Sequence, residues 1–281
     1  MDIKTCIVEF CTSLEARGRA ARTIDFYRDE LRYLPDGEID TITAASLDAI
    51  LAGMRRRDLA DATVANCIKA LRTFSAWCIR RGLIKTNPAG ELVKPDLRHR
   101  VTTKAIRQTD LDQLIEAAEA RGLCLELAIL LVLADTGCRA GELSGLNLED
   151  VDLMKMEAMC NGKTGPGELD FTERTASAIR AWLEVRPATD KTALFTTRRG
   201  RISYGRIYDC IEALAHDLGI ERHNPHSIRH RVGQGWIDKG ANLELVRLKL
   251  RHRDITTTAM FYGNQDRGRI KQATQRYSLV K

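Results

Sequence analysis

Most of the common signs of a cofactor, a metal or a membrane are missing from this 281-residue chain. Its eight cysteines are scattered, and no two are spaced C-x-x-C. With no export signal ahead of them, that pattern predicts reduced, buried thiols rather than disulfides or zinc ligands. No H-E-x-x-H spacing occurs, so no metal site is expected. No P-loop occurs, so nothing calls for ATP. The expectation is a protein without a cofactor. The longest apolar run, Leu123 to Ala134, is interrupted by Glu126 and is shorter than the ~20 residues of a membrane span. No basic start followed by an apolar stretch marks a signal peptide. A cytoplasmic location follows as an expectation. Internal repeats and low-complexity tracts are also absent, which excludes solenoids and linkers of biased composition.

What remains is the composition of a soluble globular protein, 44% hydrophobic and 29% charged. The length suggests about two domains. Lys plus Arg exceed Asp plus Glu by 44 − 38 = 6, a mild excess that permits a polyanionic partner. Its distribution is uneven, with clusters at Arg55–Arg57 and at Arg98, Arg100, Lys104 and Arg107.

Helical periodicity covers most of the chain. Residues 2 to 34 read as helix broken at Gly18, followed by a turn at Pro35-Asp36-Gly37. Ser46 to Met54 is a short helix. Ala62 to Arg81 is a longer one, with Val64, Ile68, Leu71, Ser75 and Cys78 on one face. Asn87-Pro88 bars its continuation. Residues 1–95 therefore form a helical bundle. Residues 96–103 read as an extended basic linker, because Pro95 and alternating charges oppose a helix. A second domain, 104–281, opens with Thr109 as N-cap. Its helices are expected at Asp110–Ala120, Leu123–Ala134, Arg174–Glu184, Tyr204–Leu218, Ser227–Lys239 and Leu243–Leu250. The second of these is apolar nearly all round, so it should be the central buried helix. Val151–Leu153, Ala158–Asn161 and Glu168–Phe171 read as strands, the last two flanking a glycine-rich loop, Gly162–Gly167, with a mobile tip. The class is mainly α with a small antiparallel sheet.

Chemistry-bearing residues concentrate in three places. Arg139 emerges after the apolar helix, in Thr136-Gly137-Cys138-Arg139-Ala140-Gly141-Glu142, with Glu142 one turn on to orient it. Lys163 lies in the glycine-rich loop. His226 and Arg229 are three residues apart, hence on one face of a helix, and His252 and Tyr262 follow. Two arginines, a lysine, two histidines and a tyrosine with no carboxylate pair suit a phosphodiester. Guanidiniums bind phosphate oxygens in a fork, and tyrosine can form a covalent intermediate. His226 can either take a proton from a nucleophile or donate to a phosphate oxygen. His230 reads as packing or support.

These residues occur in blocks: T-G-C-R-A-G-E-L, the Gly162-Lys163 turn, H-S-I-R-H, L-R-H-R-D and F-Y-G. In order and near-spacing they resemble the signature blocks of the tyrosine recombinases, the phage-integrase family, over about Lys104 to Tyr262. The bundle 1–95 resembles that family's core-binding domain more weakly. The resemblance implies a site-specific DNA recombinase acting on double-stranded DNA with short core sites. It implies a 3′-phosphotyrosyl intermediate, a Holliday junction and a homotetramer on two sites. It casts Arg139 and Arg229 as phosphate clamps, and His252 as a donor to a non-bridging oxygen. Tyr262 becomes the nucleophile, with Tyr277 the next candidate, and Lys163 the acid that protonates the leaving 5′-oxygen. Arg22, Lys69 and Arg72 are candidates for duplex contact. Many relatives carry glycine where this chain has Arg251, and a further basic residue near Pro166-Gly167-Glu168. A type IB topoisomerase-like enzyme and an inactive DNA-binding protein are the competing readings.

The basic, non-helical linker generates a first test. Limited proteolysis without DNA should cut between Glu91 and Lys104. Protection of that stretch, with cutting inside Leu123–Ala134, would refute the two-domain division.

Overall fold

A computed structural model describes residues 1–96, 105–162, 165–221 and 223–262, except for the side chains of Thr257, Met260, Phe261 and Tyr262. The chain divides into two compact units, Met1–Arg100 and Val101–Lys281. Among the described residues no helix is long and apolar enough to cross a membrane.

The first unit is built of α1 (Ile3–Ala16), α2 (Ala21–Leu31), a 3-10 turn at Ile39–Thr41, α3 (Ala44–Arg56) and α4 (Asp61–Arg80). The Asp2 side chain accepts from Thr5 N, and Thr43 and Ser46 form a reciprocal capping box at α3. The five residues assigned to one face of α4, Val64 to Cys78, are all buried. Phe10 sits at the centre, its ring edge-on to Tyr27, Phe74 and Trp77 at centroid distances of 5.3, 5.5 and 5.6 Å.

The second unit carries α5 (Gln108–Ala120), α6 (Cys124–Thr136), α7 (Ala140–Gly145), β1 (Val151–Asp152), β2 (Glu157–Gly162), β3 (Gly165–Asp170) and α8 (Glu173–Val185). It continues with β4 (Thr196–Thr197), β5 (Gly200–Arg201), α9 (Tyr204–Asp217), α10 (Pro225–Asp238), α11 (Leu243–Leu250) and α12 (Ile255–Tyr262). The class is mainly α, with antiparallel sheets β1-β2-β3 and β4-β5. As its composition requires, α6 runs through the core, where Ala128 to Leu133 are all buried.

Three details differ from the sequence reading. The first helix starts at Gln108 rather than after Thr109, because Arg107 takes the cap position and its Nε pairs with Asp110 Oδ2 at 2.8 Å. The hairpin ladder extends to Gly162–Gly165, so Gly165, Pro166 and Gly167 belong to β3 and not to a six-residue loop. And no element is expected from the sequence over the β4–β5 pair or over α12.

Helix α6 ends where the site begins. Thr136 Oγ1 donates to Val132 O at 2.6 Å and accepts from Cys138 N at 3.1 Å. Gly137 then turns the chain at φ +60°, a left-handed conformation that costs a residue with a Cβ about 1–2 kcal/mol. A Cβ there would also meet Leu250 Cδ2 at 2.8 Å and Val232 Cγ1 at 3.3 Å, so α6, α10 and α11 converge on this residue. Gly137→Ala should lower stability by about 1–3 kcal/mol, seen as a fall of roughly 2–4 °C in the thermal midpoint per kcal/mol. An unchanged midpoint would show that the convergence is loose.

Candidate active site

Arg229 projects from the second turn of α10, whose start is set by Asn224. The Asn224 side chain accepts from Ser227 N, and Pro225 occupies the first turn, where a missing N–H costs nothing. Arg229 is 4% exposed. Its Nη1 donates to Gly137 O at 2.5 Å and its Nη2 to Leu250 O. Both carbonyls lie at helix C-termini, where backbone acceptors lack intrahelical donors and the dipole favours a cation. Among the described residues Arg229 forms no salt bridge. Burial, and then the charge of Arg139, brings its pKa down to about 10; Glu142 opposes the fall.

Arg139 precedes α7 as its N-cap residue. Glu142, one turn on, accepts from Arg139 N at 2.8 Å and from Arg139 Nη1 at 2.7 Å. The carboxylate is 4% exposed and the Arg139 side chain 40%, so one is a fixed base and the other reaches toward solvent. Glu142 also accepts from Arg251 Nη2 at 2.8 Å. Burial tends to raise the Glu142 pKa. The Arg139 backbone N–H and the Arg251 charge outweigh it, and the carboxyl stays below its usual range.

His252 follows α11, which closes with His252 N donating to Arg247 O at 3.0 Å and with Arg251 left-handed at φ 51°. Its Nδ1 bonds Thr258 Oγ1 at 2.9 Å, and Thr258 is fully buried on α12. A hydroxyl can donate or accept, so Thr258 allows the tautomer whose Nε2–H is free to donate. Burial first, and then Arg229 and Arg139, brings the His252 pKa down to about 4.

His226 and His230 lie one turn apart on α10, with their Nε2 atoms 3.0 Å apart. Burial lowers both, His230 to about 4, and Arg229 adds to each. Both rings are neutral at pH 7, one donating to the other.

The structure therefore brings Arg139, His226, Arg229 and His252 into one cationic, partly buried region, beside a cavity of about 790 Å³ lined in part by Glu142, Gly167, Arg251 and His252. Tyr262 is the last residue of α12, and its side chain lies outside the described residues, as does Lys163 entirely. Tyr277 lies outside them too. In the first unit Arg22 and Lys69 are exposed, with Lys69 Nζ 5.3 Å from the centre of the Phe26 ring. Arg72 is half-buried and donates through Nη2 to Leu92 O, so its guanidinium is committed within its own unit. Sequence reading missed the roles of Thr258 and Arg251. Nothing local marks Thr258. Arg251 announces itself only as a large residue at a helix end where glycine is favoured. All eight cysteines are free thiols and seven are buried. Burial lifts Cys138, beside Arg139, to about 11, leaving it protonated and inert.

Histidines held neutral by burial carry a pH signature. The folded pKa of His230, about 4, lies below its ordinary 6.5. As pH falls, the unfolded chain therefore takes up the proton first. Stability should be level in this respect above 6.5 and decline from there toward 4. Calorimetry across that range should show a smaller decline in His230→Gln than in the wild type. Equal declines would place the titration elsewhere.

The model of the phage integrase family matches residues 104–269. The tyrosine recombinase XerC of Erythrobacter litoralis is 31% identical over 274 residues, covering 94% of this chain and 89% of its own. XerC of Corynebacterium glutamicum is 30% identical over 92% of this chain and 87% of its own. Among solved structures, a lambda integrase tetramer bound to a Holliday junction superposes with a TM-score of 0.74 at 17% identity, over 93% of this chain and 77% of that one. The chain belongs to the phage integrase family, the tyrosine recombinases.

Proposed function

We propose that this site-specific DNA recombinase holds the scissile phosphate between Arg139 and Arg229 while His252 donates to a non-bridging oxygen. The observation that supports this most directly is Arg229, a buried guanidinium anchored by two backbone carbonyls with three of its five N–H groups left over among the described residues, and a second guanidinium, Arg139, near enough to depress its pKa. Two cations driven together in a partly dry site favour an anion between them. They are also placed to neutralise the charge that builds on a pentavalent phosphorus.

Tyr262 Oη attacks phosphorus. The P–Oη bond forms as the P–O5′ bond breaks, His226 takes the phenolic proton, and Lys163 gives a proton to the departing 5′-oxygen. A neutral His226 suits that role, because an imidazole already protonated could accept nothing. A phenol with pKa ~10 is a weak nucleophile at pH 7 without a base or a cationic field. The product is a 3′-phosphotyrosyl bond and a free 5′-hydroxyl. No water is consumed, so a 5′-hydroxyl from a second duplex can reverse the step. Two such exchanges pass through a four-way junction.

The partner is DNA. The finer assembly, a homotetramer on two short core sites, is our proposal. It is supported by the fold shared with the lambda integrase tetramer seen on a Holliday junction. Arg22 and Lys69, both exposed, are proposed duplex contacts, and such contacts make affinity fall with salt. Arg72 joins them only if it leaves the Leu92 carbonyl.

A nicked suicide substrate in EDTA tests the chemistry. Wild type should attach covalently to DNA, and Tyr262→Phe should bind without attaching. Lys163→Ala should be slow on the normal substrate, by roughly a hundredfold or more, as expected for loss of a general acid. It should recover when the bridging 5′-oxygen is sulfur, a leaving group that needs no acid. Attachment by Tyr262→Phe would move the nucleophile, and strict dependence on magnesium would overturn the scheme.

A further inference from the structure

Arg251 holds an unusual backbone position for its type. It is one of three non-glycine residues with positive φ among those described, at φ 51°, ψ 46°. Glycine adopts that conformation freely, and a long side chain does so only when its contacts repay the strain. The Arg251 contacts are specific. The side chain is 14% exposed, and Nη2 donates to Glu142 Oε2 at 2.8 Å across 109 residues of sequence. Nη1 reaches Lys249 O at 3.4 Å and Glu168 O at 3.5 Å.

The β2–β3 hairpin rests on this pair. A Cβ at Gly167 would meet Arg251 Cδ at 2.5 Å, and one at Gly162 would meet Glu142 Oε1 at 2.7 Å. Gly162 pairs with Gly165, and Gly167 with Cys160, on the inward face of the hairpin. These glycines let the backbone lie directly on the ion pair. The same carboxylate that receives Arg251 orients Arg139.

We propose that Arg251 is a positioning residue for the strand-cleavage step, fixing Glu142 so that one buried ion pair both aims Arg139 and seats the hairpin that carries Lys163. The proposal rests on the assignment of Arg139 and Lys163 above. Arg251 supplies a second cation to a carboxylate that would otherwise neutralise Arg139 alone. The Arg139–Glu142–Arg251 group thereby keeps a net positive charge toward a phosphate.

Arg251→Gly removes the side chain and relaxes the backbone, so relief of strain offsets part of the lost ion pair and the fold should survive. Covalent attachment to the nicked substrate should slow by about ten- to a hundredfold, the usual consequence of a misplaced catalytic group. DNA affinity should stay within about threefold, since one positioning residue contributes little to the many phosphate contacts that set it. In a Glu142→Gln background the same substitution should add little, because its route of action is already cut. Arg251→Lys, which keeps charge but not the fork, should fall between. Hydrogen exchange read without DNA should be faster at the Cys160, Gly162 and Gly167 amides in Arg251→Gly than in the wild type. Unchanged exchange, or a slowing that adds fully to that of Glu142→Gln, would overturn the proposal. A wild type that never attaches to DNA would overturn the recombinase assignments instead, while the exchange data still decide the tie.

Discussion

A single buried guanidinium organises the second unit. Arg229 donates to the carbonyl of Gly137 at the end of α6 and to that of Leu250 at the end of α11. Two residues beyond each carbonyl stands a polar group of the site, Arg139 after Gly137 and His252 after Leu250. Helix ends normally satisfy their last carbonyls with water or a local cap. Here they share one cation from a third helix, so three segments distant in sequence have one common reference point. Such charged hydrogen bonds contribute about 1.5–3 kcal/mol each. Removing Arg229 would leave both carbonyls unsatisfied as well as removing a charge.

The same arrangement explains the protonation states. Burying a cation beside other cations is unfavourable, and the chain answers in two ways. Glu142, nearly inaccessible, is shared between Arg139 and Arg251 and held ionised by their donors. The histidines answer by staying neutral: burial and the neighbouring arginines bring His230 and His252 to about 4. Neutral imidazoles between guanidiniums can still donate or accept a proton without adding to the repulsion. Charge is thus carried by groups that cannot lose it, and proton movement is left to groups that can.

Much of this was legible in the sequence. Helix α4 could be assigned its buried face residue by residue because the 3.6-residue period is a local property. An apolar helix such as α6 has only one stable place, the core. Arg139, His226, Arg229 and His252 could be singled out as candidates because they stand in short blocks with fixed spacing. What escaped is non-local. Gly162 and Gly167 looked like loop residues, since glycine marks flexibility and close approach equally well. Only the fold reveals Arg251 and Glu142 underneath them. Arg72 looked like a basic surface residue until α4 was seen to turn it toward Leu92. Thr258 carries no signal, because a hydroxyl supporting an imidazole differs from any other threonine only by its neighbour.

The crowding of cations at the site also shapes what it can bind. The Arg229 pKa is pulled down by burial and by Arg139, so part of the folding free energy holds like charges together. An anion between them removes that cost, and its binding free energy therefore includes relief of repulsion as well as new hydrogen bonds. On the clamp we propose, a phosphodiester offers two non-bridging oxygens on a tetrahedral centre, one for Arg139 and one for Arg229. As phosphorus becomes five-coordinate, negative charge on those oxygens grows, and attraction grows with it while the protein need not move. On that proposal the buried arginine is stabilised most when the phosphate is most highly charged, which is the condition for accelerating the step rather than only binding its substrate.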